Sequence, residues 1–288
     1  MKIKVKCMEC FLRQAVKAAK LSTANFDDRI KAIKKASGII SNLDPEAPPP
    51  VTATKVFKSV IESTGSRDAY AELKKGSNSG VRDLLPRAEE LIQQSEDPLA
   101  AAVKISLCGN IIDYGILENF NVEELIEEEI KIDIDPDKTE KFRRIIKNSK
   151  IMVFLSDNAG EIGFDGLLFR EIKKINPLLE IIIFVNDSPI INDVTVEDAR
   201  FFNLEKEFKI VEIPAAVGLD YSTLSPEAKR IFERADYIIS KGQANYEILT
   251  DSERENIIYI LRAKCDIIAD YAGVDTGLPL FRFSGKNK

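Results

Sequence analysis

Apolar residues in the first half of the chain recur every three to four positions, the period of amphipathic helices. The pattern predicts helices over 10–20, from Asp27 or Asp28 past Ile40, and over 56–61, 69–73, 81–92 and 99–112. Pro86 lies inside one of these segments and is expected to kink or interrupt it. We therefore expect a helical N-terminal region over residues 1–148.

The period changes near residue 150. Short apolar runs then alternate with helical patterns, and they predict strands over 151–155, 181–185, 209–213, 237–240, 257–261 and 266–269. Buried apolar strands that alternate with helices are typical of a parallel, doubly wound sheet. The second region, residues 149–288, is therefore expected to be an α/β domain.

Polar residues follow several of these runs at the point where each strand should end. Parallel sheets of this type bind ligands at the carboxyl ends of their strands. Asp157 and Asn158 follow the first strand, and their oxygens suit Mg²⁺ or a similar hard cation. Asp193 follows the second strand and is a candidate third ligand. The alternative interpretation of each is a helix cap, which is a common role for Asp and Asn.

Two further segments carry candidate phosphate-binding groups. Lys241 follows a strand and precedes Gly242, so it could meet a phosphoryl oxygen as a point charge; the alternative is a solvated lysine in a turn. Asn110 and Asp113 lie three residues apart, on one face of an apolar helix. That face is expected either to cover the active edge of the sheet or to form a hydrogen bond between helices.

Composition removes several classes of chemistry. The 288 residues contain no histidine, which excludes a Ser-His-Asp triad, an imidazole base and a His-ligated metal. The net charge of −6 argues against a nucleic-acid partner. The sequence contains no apolar run of about 18 residues, so no membrane span is expected. The charged start, 1–11, does not resemble a signal peptide. Abundant Ile, Lys and Glu are typical of thermophiles.

The four cysteines are too few for a disulfide scaffold in a chain of this length, so a reducing cytoplasm is expected. Cys7 and Cys10 have the spacing of half a zinc site. Cys108 and Cys265 are isolated, so a complete site would need all four to meet in space. We favour buried structural thiols.

Several motifs in order resemble one family, the metal-dependent damage-control phosphatases, long catalogued as a domain of unknown function and also labelled acidic-residue-methyltransferase-like. The matching segments are Cys7-x-x-Cys10, Gly109-Asn110-x-x-Asp113, Asp157-Asn158-Ala159-Gly160-Glu161, Asn192-Asp193-Val194-Thr195, Lys241-Gly242-Gln243-Ala244-Asn245-Tyr246-Glu247 and Lys264-Cys265. The resemblance covers nearly the whole chain, and the early Cys-x-x-Cys indicates the branch found in archaea and other microbes.

The resemblance implies a Rossmann-like α/β/α sandwich and hydrolysis of phosphate monoesters, such as sugar phosphates or damaged phosphorylated metabolites. It implies a divalent metal (Mg²⁺, Mn²⁺, Co²⁺ or Ni²⁺) held by Asp157, Asn158 and Asp193. The phosphate contacts it implies are Lys241, Asn110, Asp113 and Asn245. The catalytic set is then Asp157, Asn158, Asp193 and Lys241. The attacking group is either a water molecule on the metal or the Asp157 carboxylate, and the sequence does not separate the two.

Two rival functions remain open at this point. An S-adenosylmethionine-dependent methyltransferase usually has a glycine-rich turn after its first strand, whereas residues 157–160 offer one glycine. A non-catalytic module that binds metal through cysteines is the other. A haloacid-dehalogenase-type phosphatase is excluded, because Ala159 stands where that family needs its second Asp.

Overall fold

The computed structural model of the chain describes residues 1–112 and 122–285. In the first half, helices α1 to α7 span Val5–Ser22, Phe26–Ser41, Pro49–Thr64, Ala71–Gln94, Pro98–Ile112, Val122–Glu129 and Pro136–Asn148. In the second half, strands β1 to β6 span Ile151–Leu155, Glu180–Asn186, Lys209–Ile213, Tyr237–Lys241, Ile257–Arg262 and Pro279–Phe283. Helices α8 to α12 span Glu161–Ile175, Val196–Phe201, Pro226–Arg234, Gly242–Leu249 and Asp266–Ala272.

The six strands form one sheet in the order β3-β2-β1-β4-β5-β6. All neighbours pair in parallel except β5 and β6, which are antiparallel. The predicted α/β class with a mostly parallel sheet and a helical N-terminal region is therefore confirmed. The strand order reverses between β1 and β4, and in open sheets of this kind ligands bind outside the carboxyl ends of the strands at such a switch point.

Helices cover both faces of the sheet, because successive strand residues point to opposite sides. Met152 and Phe154 face a core that includes residues of α4, α5, α7 and α8. Val153 and Leu155 face a second core with residues of α10, α11 and α12. Helices α1, α2 and α3 share a third core. Helices α4, α5 and α7 thus pack with the sheet rather than with α1–α3, and the division at residue 148 stays a prediction.

Two strand assignments differ from the sequence-based expectation. Residues 266–269 begin helix α12 instead of forming a strand, because a short apolar run fits either element and only the surrounding packing decides. The sixth strand, β6, lies further on and was not predicted. It begins with Pro279. Proline is tolerated at the first position of an edge strand, because the backbone nitrogen there need not donate a hydrogen bond to a neighbouring strand.

Helix α4 is longer than the pattern predicts. The expected segments 69–73 and 81–92 merge into one helix that continues through Pro86, so the expected interruption does not occur. The intervening 74–80 carries Gly, Ser and Asn, which are poor helix formers. Here tertiary packing overrides propensity, since Val81 and Leu84 lie in the core against α8. Within the described ranges, no helix combines the length and apolar character needed to cross a membrane.

Gly163 in α8 marks a close approach between layers. A Cβ built there would lie 2.5 Å from the Phe202 ring and 2.8 Å from a Val81 methyl group. We expect Gly163→Ala to destabilise the fold by about 1–3 kcal/mol through overpacking. The matched control is Gly38→Ala in α2, where nothing lies within 4 Å, and it should stabilise by about 1 kcal/mol. Chemical denaturation of both variants measures the difference, and equal stabilities would contradict the packing described.

Candidate active site

The loops that follow β1 and β2 are held together by backbone hydrogen bonds. The Ala159 amide donates to the Asn192 carbonyl at 2.9 Å, and the Val194 amide donates to the Asp157 carbonyl at 2.9 Å. Asn158 and Asp193 form an antiparallel bridge between them. The structure therefore brings Asp193 beside Asp157 and Asn158, the other two predicted metal ligands, although Asp193 lies 35 positions after Asn158 in the chain.

The end of β4 closes the third side of the site. A Cβ built on Gly242 would lie 2.1 Å from Cγ of Asp157 and within 2.3 Å of both its carboxylate oxygens. The carboxylate therefore lies directly against the glycine backbone, in space that any side chain would fill. Gly242 also has φ +76°, a conformation that favours glycine.

The Asn158 amide is oriented by two carboxylates. Its Nδ2 donates to Asp157 Oδ2 at 2.9 Å and to Glu161 Oε1 at 3.0 Å. Both amide hydrogens are thus used inside the protein, which leaves Oδ1 as the atom that can bind a cation. Asn158 is buried, while Asp157 and Asp193 are half-buried, so the carboxylates lie at the boundary with solvent.

Lys241 is fully buried, not solvated in a turn. Its Nζ donates to the Ser106 carbonyl at 2.7 Å, to Ser106 Oγ at 2.8 Å and to Asp165 Oδ1 at 2.8 Å. A second carboxylate oxygen, Glu161 Oε2, lies 3.4 Å away. The ammonium thus joins β4 to α5 and α8, and its three hydrogens are directed into the protein.

This charge network shifts the pKa of each member. Burial raises the pKa of Glu161 to about 8; Lys241 opposes the shift and Asp157 adds to it. Burial also raises the pKa of Asp165, against the attraction of Lys241 and hydrogen bonds from Lys241 and Ser106. Burial alone would lower the pKa of Lys241, but Asp165 and Glu161 outweigh it and the net shift is upward. Lys241 therefore stays charged, and Glu161 is a carboxyl group that readily holds a proton.

Asn245 uses its side chain to hold backbone groups. Its Nδ2 donates to the carbonyls of Lys241 at 2.9 Å and Ser156 at 3.2 Å, and its Oδ1 accepts from the Leu219 amide at 2.8 Å. It therefore ties the ends of β1 and β4 to the loop before α10, and its predicted phosphate contact remains a prediction. The other two predicted phosphate contacts, Asp113 and the side chain of Asn110, lie outside the described residues.

Comparison with known proteins identifies the family. A family model of the damage-control phosphatase ARMT1-like domain matches residues 3–279. The chain belongs to this family. It is 34% identical over 284 residues to a damage-control phosphatase from Archaeoglobus fulgidus, covering 96% of this chain and 97% of that protein. It is 29% identical over 280 residues to a damage-control phosphatase from Pyrococcus horikoshii, covering 96% of each.

A solved structure shows the same fold over the full length. The crystal structure of a DUF89 family protein from Pyrococcus horikoshii superposes with a TM-score of 0.90 at 28% identity, covering 99% of this chain and 100% of that one. Membership of the damage-control family makes this chain a phosphatase, and hence a hydrolase. The family implies a metal cofactor.

The residues present fit a hard divalent cation. Among the described residues no group of three or more Cys, Asp or Glu is arranged to hold a metal, so a site here needs an amide ligand. Asn158 supplies one, with its oxygen left over by the two hydrogen bonds of its nitrogen. Asp157 and Asp193 flank it on paired loops. An all-oxygen set of this kind suits Mg²⁺ or Mn²⁺ better than a tightly held zinc.

Sequence reasoning did not single out the partners of Lys241. Glu161 and Asp165 lie four residues apart on α8, whose residues 161–169 are all buried. Two carboxyl groups one turn apart in the otherwise apolar stretch 161–169 need buried partners. The spacing of these two carboxyl groups could have identified them from the sequence. Nothing in the sequence marks Ser106 on α5, the third partner of Lys241.

The four cysteines do not meet in one place. Cys108 lies near Glu129, Arg262 and Lys241. Cys7 lies instead near Glu247, Cys10 and Cys265; besides burial, their charges raise the pKa of its thiol. All four are free thiols, and burial raises the pKa of the Cys7, Cys108 and Cys265 thiols. The complete four-cysteine metal site considered from the sequence does not form.

The contact between Gly242 and Asp157 generates a prediction about activity. Gly242→Ala places a methyl group on the Asp157 carboxylate. We expect the rate of p-nitrophenyl phosphate hydrolysis to fall by at least about tenfold, because a displacement of about 1 Å can cost about a hundredfold in rate. The control is Gly273→Ala, which has a similar φ of +66° but nothing within 4 Å of the added Cβ. It shares the backbone strain and should keep its activity. Equal losses in the two variants would attribute the effect to strain alone.

Glu247 generates a prediction about the pH dependence of stability. Burial raises the pKa of this carboxyl to about 7. The folded state therefore binds the proton more strongly than the unfolded chain, and stability is lost as pH rises from about 4.5 through 7. We expect Glu247→Gln to be more stable than the wild type at pH 8 by up to about 3 kcal/mol, with the difference vanishing near pH 4. Urea denaturation at several pH values measures this.

The control for this experiment is Glu227→Gln, which changes an exposed carboxyl group at the start of α10. Its stability should follow the wild type at every pH. A Glu247→Gln variant that also follows the wild type at every pH would show that this carboxyl does not titrate as described.

Proposed function

We propose that this chain is a divalent-metal-dependent phosphomonoesterase that acts on small phosphorylated metabolites, such as sugar phosphates or damaged phosphometabolites. The observation that carries the proposal is the convergence of Asp157, Asn158 and Asp193 on two paired loops at the strand switch point. The names of its relatives support the activity class.

We also propose that the chain belongs to the microbial branch with an early Cys-x-x-Cys. The positions of Cys7 and Cys10 in α1 support this proposal. We further propose that it works in a reducing cytoplasm, which its free thiols support.

Asp157, Asn158 and Asp193 would hold the cation. Because all three would bind through oxygen, we propose that Mg²⁺, Mn²⁺, Co²⁺ and Ni²⁺ can each occupy the site. When bound, it supplies Lewis-acid neutralisation of phosphoryl oxygen charge. The protein contributes the fixed geometry. Asn158 is oriented by two hydrogen bonds, and Asp157 is confined by Gly242, so little reorganisation is needed when a phosphate arrives.

Lys241 places a permanent positive charge at the end of β4, next to the same loops. Phosphoryl transfer depends mainly on positioning and on charge neutralisation, so we propose that Lys241 stabilises the phosphate electrostatically. A direct contact requires Nζ to exchange one of its bonds to Ser106 or Asp165 for a phosphate oxygen. Asn245 keeps the Lys241 backbone in register with the end of β1.

The test is hydrolysis of p-nitrophenyl phosphate by metal-stripped protein, with each of the four divalent metals added back. We expect the stripped protein to be inactive and metal to restore it. Asp157→Ala and Asp193→Ala should each lower activity by at least about a hundredfold, because each removes a metal ligand.

The matched control is Glu197→Ala, four residues beyond Asp193 on the same segment and exposed. It should retain wild-type activity. Full activity after chelation, or unimpaired Asp157→Ala and Asp193→Ala variants, would contradict the proposed function.

A further inference from the structure

Helix α4 reaches both loops of the candidate metal site through buried polar side chains. Lys74, Ser77 and Asn78 lie on one face of the helix, one turn apart. A Cβ built on Gly160, in the loop after β1, would lie 3.1 Å from Cβ of Ser77. The helix therefore packs directly on the segment that carries Asp157 and Asn158.

Asn78 joins the two loops with its two amide atoms. Its Oδ1 accepts from the Gly160 amide at 2.7 Å, and its Nδ2 donates to Asp198 Oδ1 at 2.8 Å. Gly160 ends the first ligand loop, and Asp198 lies five residues beyond Asp193. Asn78 is 6% exposed, so solvent does not replace these bonds when one is lost.

Asp198 in turn organises the second loop. Its Oδ2 accepts from the Thr195 amide at 2.8 Å and from Thr195 Oγ1 at 2.7 Å, which forms a capping box at the start of α9. Lys74 Nζ lies 2.8 Å from the same carboxylate oxygen and donates to Thr195 Oγ1 at 3.3 Å. The Lys74 and Asp198 side chains are 7% and 6% exposed, and loss of either charge would leave the other buried and unpaired.

We propose that Asn78 and Lys74 are positioning residues for the metal site, and that they fix the spacing between the Asp157–Asn158 loop and the Asp193 loop. This inference rests on the proposed function, because it concerns the cation that those loops would hold. The direct link between the loops is backbone pairing, which sets their register. The α4 groups hold each loop against a third element, so the ligand oxygens keep one arrangement before the cation arrives. Removal of groups that orient metal ligands typically weakens metal binding by about tenfold to a hundredfold.

The test is Mn²⁺ binding to the full chain, followed by isothermal titration calorimetry and by loss of the free Mn²⁺ signal in electron paramagnetic resonance. We expect Asn78→Ala to weaken Mn²⁺ binding about tenfold to a hundredfold. Should that variant be too unstable to purify, the nearly isosteric Asn78→Asp carries the test. It keeps an acceptor for the Gly160 amide, loses the donor to Asp198 and places two carboxylates side by side.

The double variant Asn78→Asp with Asp198→Asn exchanges donor and acceptor between the two positions. Every hydrogen bond of the network then has a partner again. The net charge of the cluster is also conserved, with the negative charge moved from position 198, where it pairs with Lys74 in the wild type, to position 78, one turn along α4 from Lys74. We expect this swap to recover most of the Mn²⁺ affinity. If Asn78 served only to stabilise the fold, the Mn²⁺ affinity of its variants would change in step with their melting temperature. A positioning role predicts that the two quantities change independently.

Two controls separate positioning from stability. Lys75→Ala changes an exposed neighbour on α4 and should bind Mn²⁺ like the wild type. Phe142→Leu weakens the core where α7 packs on Phe281 and should lower the melting temperature without changing Mn²⁺ affinity. Wild-type affinity in the Asn78 variants, or an equal loss in Phe142→Leu, would overturn the inference and leave the metal site standing. No Mn²⁺ binding by the wild type, or unchanged binding in Asp157→Ala, would remove the proposed function and this inference together.

Discussion

The site depends on two hydrogen-bonded loops at one edge of a parallel sheet. Strands that run in parallel all end at the same edge of the sheet. The strand order alone therefore brings the residues after β1, β2 and β4 together. The backbone bonds of Asp157 and Ala159 to 192–194 then hold two acidic loops face to face. This backbone pairing places Asp157 and Asp193 beside each other, and the proposed divalent cation would be shared by their side chains. The proposed metal site therefore rests on the same constraint as the loop geometry.

A second feature is the amount of charge placed under the loops. Lys241 is enclosed by Ser106, Asp165 and Glu161, so α5, α8 and β4 are joined by one buried ionic network. Burying charge is costly unless each group has a partner, and here Lys241 pairs with Asp165 at 2.8 Å. Glu161 connects this network to the site, because it also accepts from the Asn158 amide. The proposed chemistry does not require the histidine that the chain lacks, since it uses carboxylates, an amide and a lysine.

The strands, and the convergence of Asp157, Asn158 and Asp193, could be predicted because each depends on local pattern and strand order. Five apolar runs coincide with β1 to β5, and polar residues directly after strands converge by topology. Elements that depend on packing could not be predicted in this way. Residues 266–269 form a helix, β6 has no distinctive run, and α4 continues through a glycine- and serine-rich stretch. The polar partners Asn78 and Ser106 come from distant helices, and a single sequence holds no signal that pairs them with Gly160 or Lys241.

Anomalous diffraction at the manganese absorption edge, from crystals soaked in Mn²⁺, tests whether the two loops bind a metal. We expect one strong peak within about 2.0–2.6 Å of oxygen ligands from Asp157, Asn158 and Asp193. A peak at the cysteines instead, or crystals that diffract well and show no manganese between the two loops, would contradict it.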